Sequence, residues 1–516
     1  EDKSNFAFQR LHGMAEQLYN MVYEESGVPV SIYGPVGPHA DLLPYLVRRL
    51  LENGANSSFI NQIYDAAIPV DSLTSDPIDQ AQEVESRRHP HIPLPLDIYR
   101  PDRANSAGID LTDKQSVERL YQEMDKTAKK LPPRPADTKE SDIDKAFEKA
   151  KNAFESWDAL GGEKRAEIIE KIGDLMEDNI ERLMAICAKE AGKSIPDGIA
   201  EVREAVEFCH YYAARGREHF SGFQELQGPT GEQNLYRLRG RGVCVCISPW
   251  NFPLAIFTGQ VVAALMAGNC VLAKPAEQTP IIAQEAVELM HKAGVPKDVL
   301  IGLYGDGKLG AAMVNHPKTA LVAFTGSTEA AKAINMALAK KDGPITPLIA
   351  ETGGQNAMIV DSTALPEQVC DDVLLSGFGS AGQRCSALRL LCLQDNTADK
   401  MLDMIMNAMD TYYVGDPYQL STDVGPVIDE DALETLKAHR KRLEKDAKIL
   451  KICPNMPDEG SAITERHPFF APVLAEIDSL DFMKREVFGP VIHVYRYKAK
   501  DREALMQDIN DMGYGL

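Results

Sequence analysis

Gly242-Val-Cys-Val-Cys-Ile-Ser248 runs straight into Pro249-Trp-Asn-Phe-Pro253. Val243 to Ile247 is a short, unbroken apolar run, which reads as a strand buried on both faces. The next five residues cannot continue it, because two prolines fix the backbone and remove ladder donors. They make an irregular turn carrying one side-chain amide, Asn251. The rhythm then repeats. Ala263 to Gly268 ends a helix, and Asn269-Cys-Val-Leu-Ala-Lys274 is the next strand. Val299 to Tyr304 and Ala320 to Phe324 follow as further strands. Strands alternating with helices predict an α/β fold, a parallel sheet covered by helices. Ligands of such sheets bind beyond the carboxyl ends of the strands. Lys274 and Glu277 sit at such an end.

Gly305-Asp-Gly307-Lys-Leu-Gly310 matches G-x-G-x-x-G. The dinucleotide fingerprint also needs an acidic residue at the end of the next strand. That strand ends in Thr325-Gly326-Ser327, so the ordinary fingerprint is set aside. The small residues before Ala330-Ala331-Lys332 make a better anion cradle, opening a helix whose free N–H groups can face a pyrophosphate. Pro347-Leu-Ile-Ala-Glu351 then ends an apolar strand before Gly353-Gly354. A carboxylate against an apolar wall holds its proton tightly and suits a general base. The bland alternative is a surface glutamate before a turn.

Gly379-Ser-Ala-Gly-Gln-Arg384-Cys385-Ser386 places a cysteine among small and polar residues. Structural cysteines usually sit among bulky apolar neighbours. An adjacent cation such as Arg384 is expected to favour thiolate, the nucleophilic form. Lys484-Arg-Glu486-Val-Phe488-Gly-Pro490 is a compact turn before the strand Val491 to Tyr495.

Composition narrows the field. A chain of 516 residues is too long for one domain of ordinary size. With 77 acidic against 55 basic residues it lacks the basic footprint of a nucleic-acid binder. No apolar run reaches the roughly 18 residues of a membrane span. Nine cysteines, with no CxxC pair, suggest neither zinc nor a disulfide framework. Cys244 and Cys246 share one strand face. A reducing, cytoplasmic compartment and no resident metal are expected. Glu1 in place of Met leads to the expectation that the chain is a piece of a longer one.

Upstream, Val28 to Tyr33 is strand-like and ends in Gly34-Pro-Val-Gly37. Ala40 to about Asn53 is a helix with a broad apolar stripe that includes Leu42, Leu46 and Leu50. Tyr45, Arg48, Arg49 and Glu52 share another face of it. Two arginines beside an aromatic suit a carboxylate, and a solvated face is the alternative. From about residue 76 to 135, prolines break the chain repeatedly, with a charged helix from Thr112 to about Lys130 between them. His89 and His91 there read as solvated linker residues. Helices fill the stretch from Ser141 to about Arg215 and read as packing elements without chemistry.

LHGM, IYGPVG and YLVRRLLENGANSSF resemble the end of the flavin-dependent proline dehydrogenase barrel. PWNFP, KPAEQTP, FTGS, ETGG, GQRCS and EVFGP, in that order, resemble the NAD-dependent aldehyde dehydrogenase superfamily. The combination resembles the bifunctional bacterial proline utilization A family. Its implied layout is the C-terminal part of a (β/α)8 barrel over 1–75 and a linker over 76–137. A helical and Rossmann-type NAD-binding domain over 138–350 and a catalytic domain over 351–516, incomplete at its end, complete it.

The resemblance implies Cys385 as nucleophile, Glu351 as base for hydrolysis and Asn251 as oxyanion donor. It implies Ser248, Trp250, Lys274, Glu277, Gly326, Ser327, Glu486 and Phe488 at NAD, and Glu52 near FAD. Arg48 and Arg49 would hold the proline carboxylate, with Tyr33 and Tyr45 lining that pocket and Leu11 beside it. Ser386 would donate to the far carboxylate of L-glutamate γ-semialdehyde. A homo-oligomer and peripheral membrane association, passing electrons to quinone, are implied as well. The rival readings are an aldehyde dehydrogenase for another substrate, such as betaine aldehyde or succinate semialdehyde, and an inactive scaffold of the same fold.

Overall fold

The computed structural model describes residues 6–54, 62, 67–76, 78, 79, 82 and 91–514. His89 therefore lies outside the described residues, as do the side chains of Leu50 and Glu52. The chain forms two compact units, residues 1–93 and 94–516.

The first unit is a βαβα segment. Strand β1 (Phe8–Leu11) pairs in parallel with β2 (Val30–Tyr33), in the register Phe8↔Val30 to Leu11↔Tyr33. The helix Glu16–Ser26 connects them, and His39–Gly54 follows with Pro44 inside it. Gly27 ends the first helix at φ 66°, the left-handed conformation that glycine adopts without strain.

The second unit opens with part of the stretch expected to be linker. Its helix is Lys114–Ala128, capped by Asp113, whose carboxylate accepts from the N–H groups of Gln115 and Ser116. Leu120 and Met124 of this helix are buried in the unit's larger core. The helices Glu140–Asp158, Gly161–Glu177, Ile180–Ala191 and Ile195–Phe220 come next. A short hairpin of β3 (Gln224–Leu226) and β4 (Asn234–Tyr236) precedes the main sheet.

That sheet contains β5 (Val243–Ile247), β6 (Cys270–Lys274), β7 (Leu300–Gly302), β8 (Thr319–Thr325) and β9 (Leu348–Glu351). Its order is β7-β6-β5-β8-β9, and every pair is parallel. The central β5 is buried from Val243 to Cys246, as its apolar run demands. The Val243 and Val245 side chains each contribute about 1.5–3 kcal/mol by leaving water. Cys244 and Cys246 lie on one face, their thiols 3.8 Å apart in a hydrogen bond and without a disulfide.

A second sheet has the order β10-β11-β14-β13-β12. Its strands are β10 (Asn356–Val360), β11 (Leu388–Gln394), β12 (Lys448–Ile452), β13 (Val473–Glu476) and β14 (Val491–Tyr497). Only β12 runs antiparallel to its neighbour. This sheet has its own apolar core. None of the described helices is long and apolar enough to cross a membrane.

Candidate active site

The parallel order brings the polar ends of β5, β6 and β8 to one cleft of about 440 Å³. Ser248, Trp250, Lys274, Glu277, Gly326 and Ser327 line it. Ser248 Oγ is buried with no hydrogen-bond partner among the described residues. Lys274 is 3% exposed, and burial lowers its pKa from the ordinary lysine value. Its Nζ donates to the Pro275 carbonyl at 2.9 Å and lies 3.8 Å from Glu277 Oε2. Ser327 caps the helix Thr328–Ala339, accepting from the Ala330 N–H at 3.1 Å. An orphaned buried hydroxyl, an ammonium at a strand end and a helix N-terminus form a donor set that ribose and pyrophosphate would satisfy. Gly307 and Gly310 also line the cleft, so the glycine run set aside as an ordinary fingerprint borders this same space.

Cys385 lies between the helix Pro366–Phe378 and β11. The approach is tight: Ser380 and Ala381 take left-handed φ values of 55° and 54°. Such values are strained for non-glycine residues. Gly382 is left-handed too, and a Cβ there would stand 2.3 Å from the Gly489 carbonyl oxygen. Cys385 is half-buried, whereas the other eight cysteines are buried.

The expectation that Arg384 favours the thiolate does not hold. Its guanidinium is bound to the Asp197 carboxylate instead. Burial pushes the Cys385 thiol above its ordinary pKa, and the Glu486 and Glu204 carboxylates push the same way. The N–H groups of Ser386 and of Cys385 itself oppose the shift. They are donors that a developing anion at this position would use.

Glu486 is packed against the backbone of the Gly353-Gly354 turn. A Cβ on Gly353 would fall 1.9 Å from Glu486 Oε2, so a side chain there would displace the Glu486 carboxylate. Glu486 lies 3.4 Å from the buried guanidinium of Arg389, which also donates to the Gly489 carbonyl at 2.8 Å and the Arg384 carbonyl at 3.0 Å. Asn356 Nδ2 donates to the Cys385 carbonyl at 2.7 Å. Phe488 meets Trp250 edge to face at 5.4 Å, linking the Glu486 turn to the cleft.

Asn251 is buried, as an oxyanion donor in a shielded site should be. Glu351 ends β9 as expected, but it is exposed and not set against an apolar wall. The cause is that β9 is an edge strand with an open outer face. Ser386 is exposed beside Cys385.

The packing helices carry more chemistry than the sequence suggested. Lys193, Asp197, Glu201 and Glu204 form a stripe at helical spacing before and along Ile195–Phe220. The stripe faces the protein interior. Lys193, Asp197 and Glu201 are buried, and burial next to Glu201 pushes Glu204 up to about 7. A run of charges at i, i+4 and i+8 on a helix otherwise rich in core residues was the available signal.

In the first unit, Arg10, Leu11, Tyr19, Tyr33 and Arg49 line a cleft of about 230 Å³. Tyr33 and Tyr45 are hydrogen-bonded, and the Arg49 guanidinium lies 5.4 Å from the Tyr45 ring centre. Arg48 is exposed and does not line this cleft. Arg10, 7% exposed, was not anticipated; the β1–β2 pairing sets it in the strand beside Tyr33, and the cleft is completed by Arg49 from the helix His39–Gly54.

The aldehyde dehydrogenase family profile matches residues 112–516. The chain belongs to the aldehyde dehydrogenase family. The proline dehydrogenase profile matches residues 1–62. The chain is 44% identical to the bifunctional protein PutA of Klebsiella aerogenes, over 99% of this chain and 41% of that protein. It is 34% identical to 1-pyrroline-5-carboxylate dehydrogenase 1 of Halalkalibacterium halodurans, over 72% of each. A crystal structure of bifunctional proline utilization A is 48% identical, with a TM-score of 0.92, over 99% of this chain and 51% of that one. The Thermus 1-pyrroline-5-carboxylate dehydrogenase with bound NAD is 28% identical, with a TM-score of 0.73, over 78% and 83%. The chain thus spans about two-fifths of the PutA relative's length. These aldehyde dehydrogenase relatives make the α/β architecture and its Rossmann-like parallel sheet a family property.

Proposed function

We propose that residues 138–350 and 351–516 are the cofactor and catalytic domains of an NAD-dependent L-glutamate γ-semialdehyde dehydrogenase. Residues 1–75 are the end of an FAD-dependent L-proline dehydrogenase, followed by a linker at 76–137. The observation that carries this reading is a half-buried Cys385 with N–H donors at its sulfur, on a loop whose neighbouring turn meets, through Phe488 and Trp250, the cleft lined by Ser248, Lys274 and Ser327.

The chemistry follows from the residues. An aldehyde has no leaving group but hydride, so its carbon must first become tetrahedral. The Cys385 thiolate attacks it and forms a hemithioacetal. The Asn251 amide and the Cys385 N–H receive the new oxyanion. Bound NAD supplies the hydride acceptor. Cys385 is then left as a thioester. Glu351, open to solvent, takes a proton from the water that hydrolyses the thioester and so frees the acid and the thiol. Lys274 and Glu277 would hold the adenosine ribose, Ser248, Gly326 and Ser327 the pyrophosphate side, and Glu486, Phe488 and Trp250 the nicotinamide side. Ser386 donates to the far carboxylate of the substrate.

In the first unit, Arg49 with Arg10 supplies cations for the proline carboxylate, with Tyr33 and Tyr45 beside them, while Arg48 stands outside the cleft. FAD, with Glu52 near it, rests on the proline dehydrogenase family alone. So do the homo-oligomer, the cytoplasmic location and electron delivery to a membrane quinone. Steady-state NADH formation by the complete protein tests the substrate. L-glutamate γ-semialdehyde should give a higher kcat/KM than succinate semialdehyde or betaine aldehyde. The reverse order removes this assignment.

A further inference from the structure

An oxyanion hole built from two chain segments works only if their spacing is fixed. Here the segments are the turn of Asn251 and the loop of Cys385. One buried ion pair touches both. Glu201 Oε1 accepts from the N–H groups of Leu254 at 3.0 Å and Ala255 at 2.9 Å. It thereby caps the helix that starts just after Asn251. Glu201 Oε2 lies 3.3 Å from Lys193 Nζ, and the two side chains are 0% and 3% exposed. The same ammonium donates to Ser380 Oγ at 3.1 Å. Ser380 is the first of the two strained left-handed residues ahead of Cys385. The ammonium also stands 4.4 Å from the ring centre of Phe252, the neighbour of Asn251. A second tie runs in parallel: Asp197 holds Arg384 and accepts from Ser194 Oγ at 2.9 Å.

Buried ion pairs are poor stabilisers, because desolvating two charges roughly cancels their attraction. An apolar pair of similar volume would serve packing as well. The contacts at both ends are what an apolar pair could not make. We infer that Lys193 and Glu201 are positioning residues that set the distance between the Asn251 amide and the Cys385 N–H. Neither touches the reacting atoms. Lys193 holds the Ser380 turn in its strained form, and Glu201 holds the helix start behind Asn251. The inference rests on the assignment of Cys385 and Asn251 given above.

Three variants of the complete protein test it, each measured for kcat, KM, NAD binding by fluorescence titration, and Tm. Ser380→Ala leaves the ion pair intact and removes its hold on the loop. Lys193→Met with Glu201→Gln removes both charges together and leaves no unpaired one behind. Misplacement of a reacting group by about 1 Å costs on the order of 100-fold. Both variants should therefore lose about 10- to 100-fold in kcat, with NAD affinity unchanged. A merely structural pair would lower Tm and the yield of active sites while leaving kcat per titrated site intact. Unchanged kcat per site in Ser380→Ala overturns the inference, even if the double variant fails to fold. Cys385→Ala separates the two levels: NADH formation that survives it refutes the nucleophile assignment itself, whatever the other variants do.

Discussion

Burial holds the Cys385 proton more tightly than water would, and Glu486 and Glu204 tighten it further. The sign of the pH dependence follows. The thiolate fraction is small at neutral pH and grows as pH rises through the elevated pKa. Alkylation by iodoacetamide in the absence of NAD should therefore accelerate into the alkaline range, and Cys385 should react ahead of the eight buried cysteines. Glu486→Gln removes one carboxylate and should shift the rate profile to lower pH. Peptide mass spectrometry checks both, and labelling of another cysteine first would contradict them. Glu277 is a second residue with a readable charge. Its side chain is 49% exposed and 3.8 Å from Lys274 Nζ. A carboxylate there accepts from ribose hydroxyls and repels a 2′-phosphate. Glu277→Gln should narrow the NAD-over-NADP preference by about tenfold, a change of about 1.4 kcal/mol. The gain should appear in kcat/KM for NADP. A wild-type protein that uses both cofactors equally would show that Glu277 plays no part.

At the scale of elements, the turn after β9 is shaped for Glu486. Gly353→Ala places a methyl group where Glu486 Oε2 now lies. Glu486 must move away from Arg389, so NAD affinity and kcat should both fall while the sheet melts at nearly the same temperature. Thermal unfolding and NAD titration measure this, and unaltered kinetics would contradict it. The sheet was legible because Val243 to Ile247 is too short for a helix and is bounded by breakers, and because Pro249, Pro275, Gly326 and Gly353 stand just beyond β5, β6, β8 and β9. The stripe of Lys193, Asp197, Glu201 and Glu204 was not legible as a site. Charges at helical spacing usually mark a solvated face, and it is the packing of Ile195–Phe220 among the helices Gly161–Glu177, Ile180–Ala191 and Ala255–Met266 that turns them inward. Arg384 misled for a similar reason. Adjacency in sequence suggested a partner for the thiol, but the loop aims the guanidinium at Asp197. Arg10 went unnoticed because neither the pairing of β1 with β2 nor the place of the helix His39–Gly54 beside them is written in β1 alone.

At the scale of the molecule, the proposed function places the two reactions on different residues in different units. Arg49 and Arg10 belong to the first, and Cys385 to the second. Arg49→Met removes a charge-assisted hydrogen bond worth about 1.5–3 kcal/mol. The KM for proline should rise about 10- to 100-fold, with aldehyde oxidation untouched. Unaltered proline kinetics would return this helix face to a solvated role. The central claim is that Cys385 carries the aldehyde reaction and nothing of the proline reaction. In the complete protein, NADH formation from L-glutamate γ-semialdehyde and dye reduction by L-proline are measured side by side for Cys385→Ala. The predicted result is loss of the first activity with the second unchanged. Retained NADH formation, or loss of both activities in a folded protein, would contradict it.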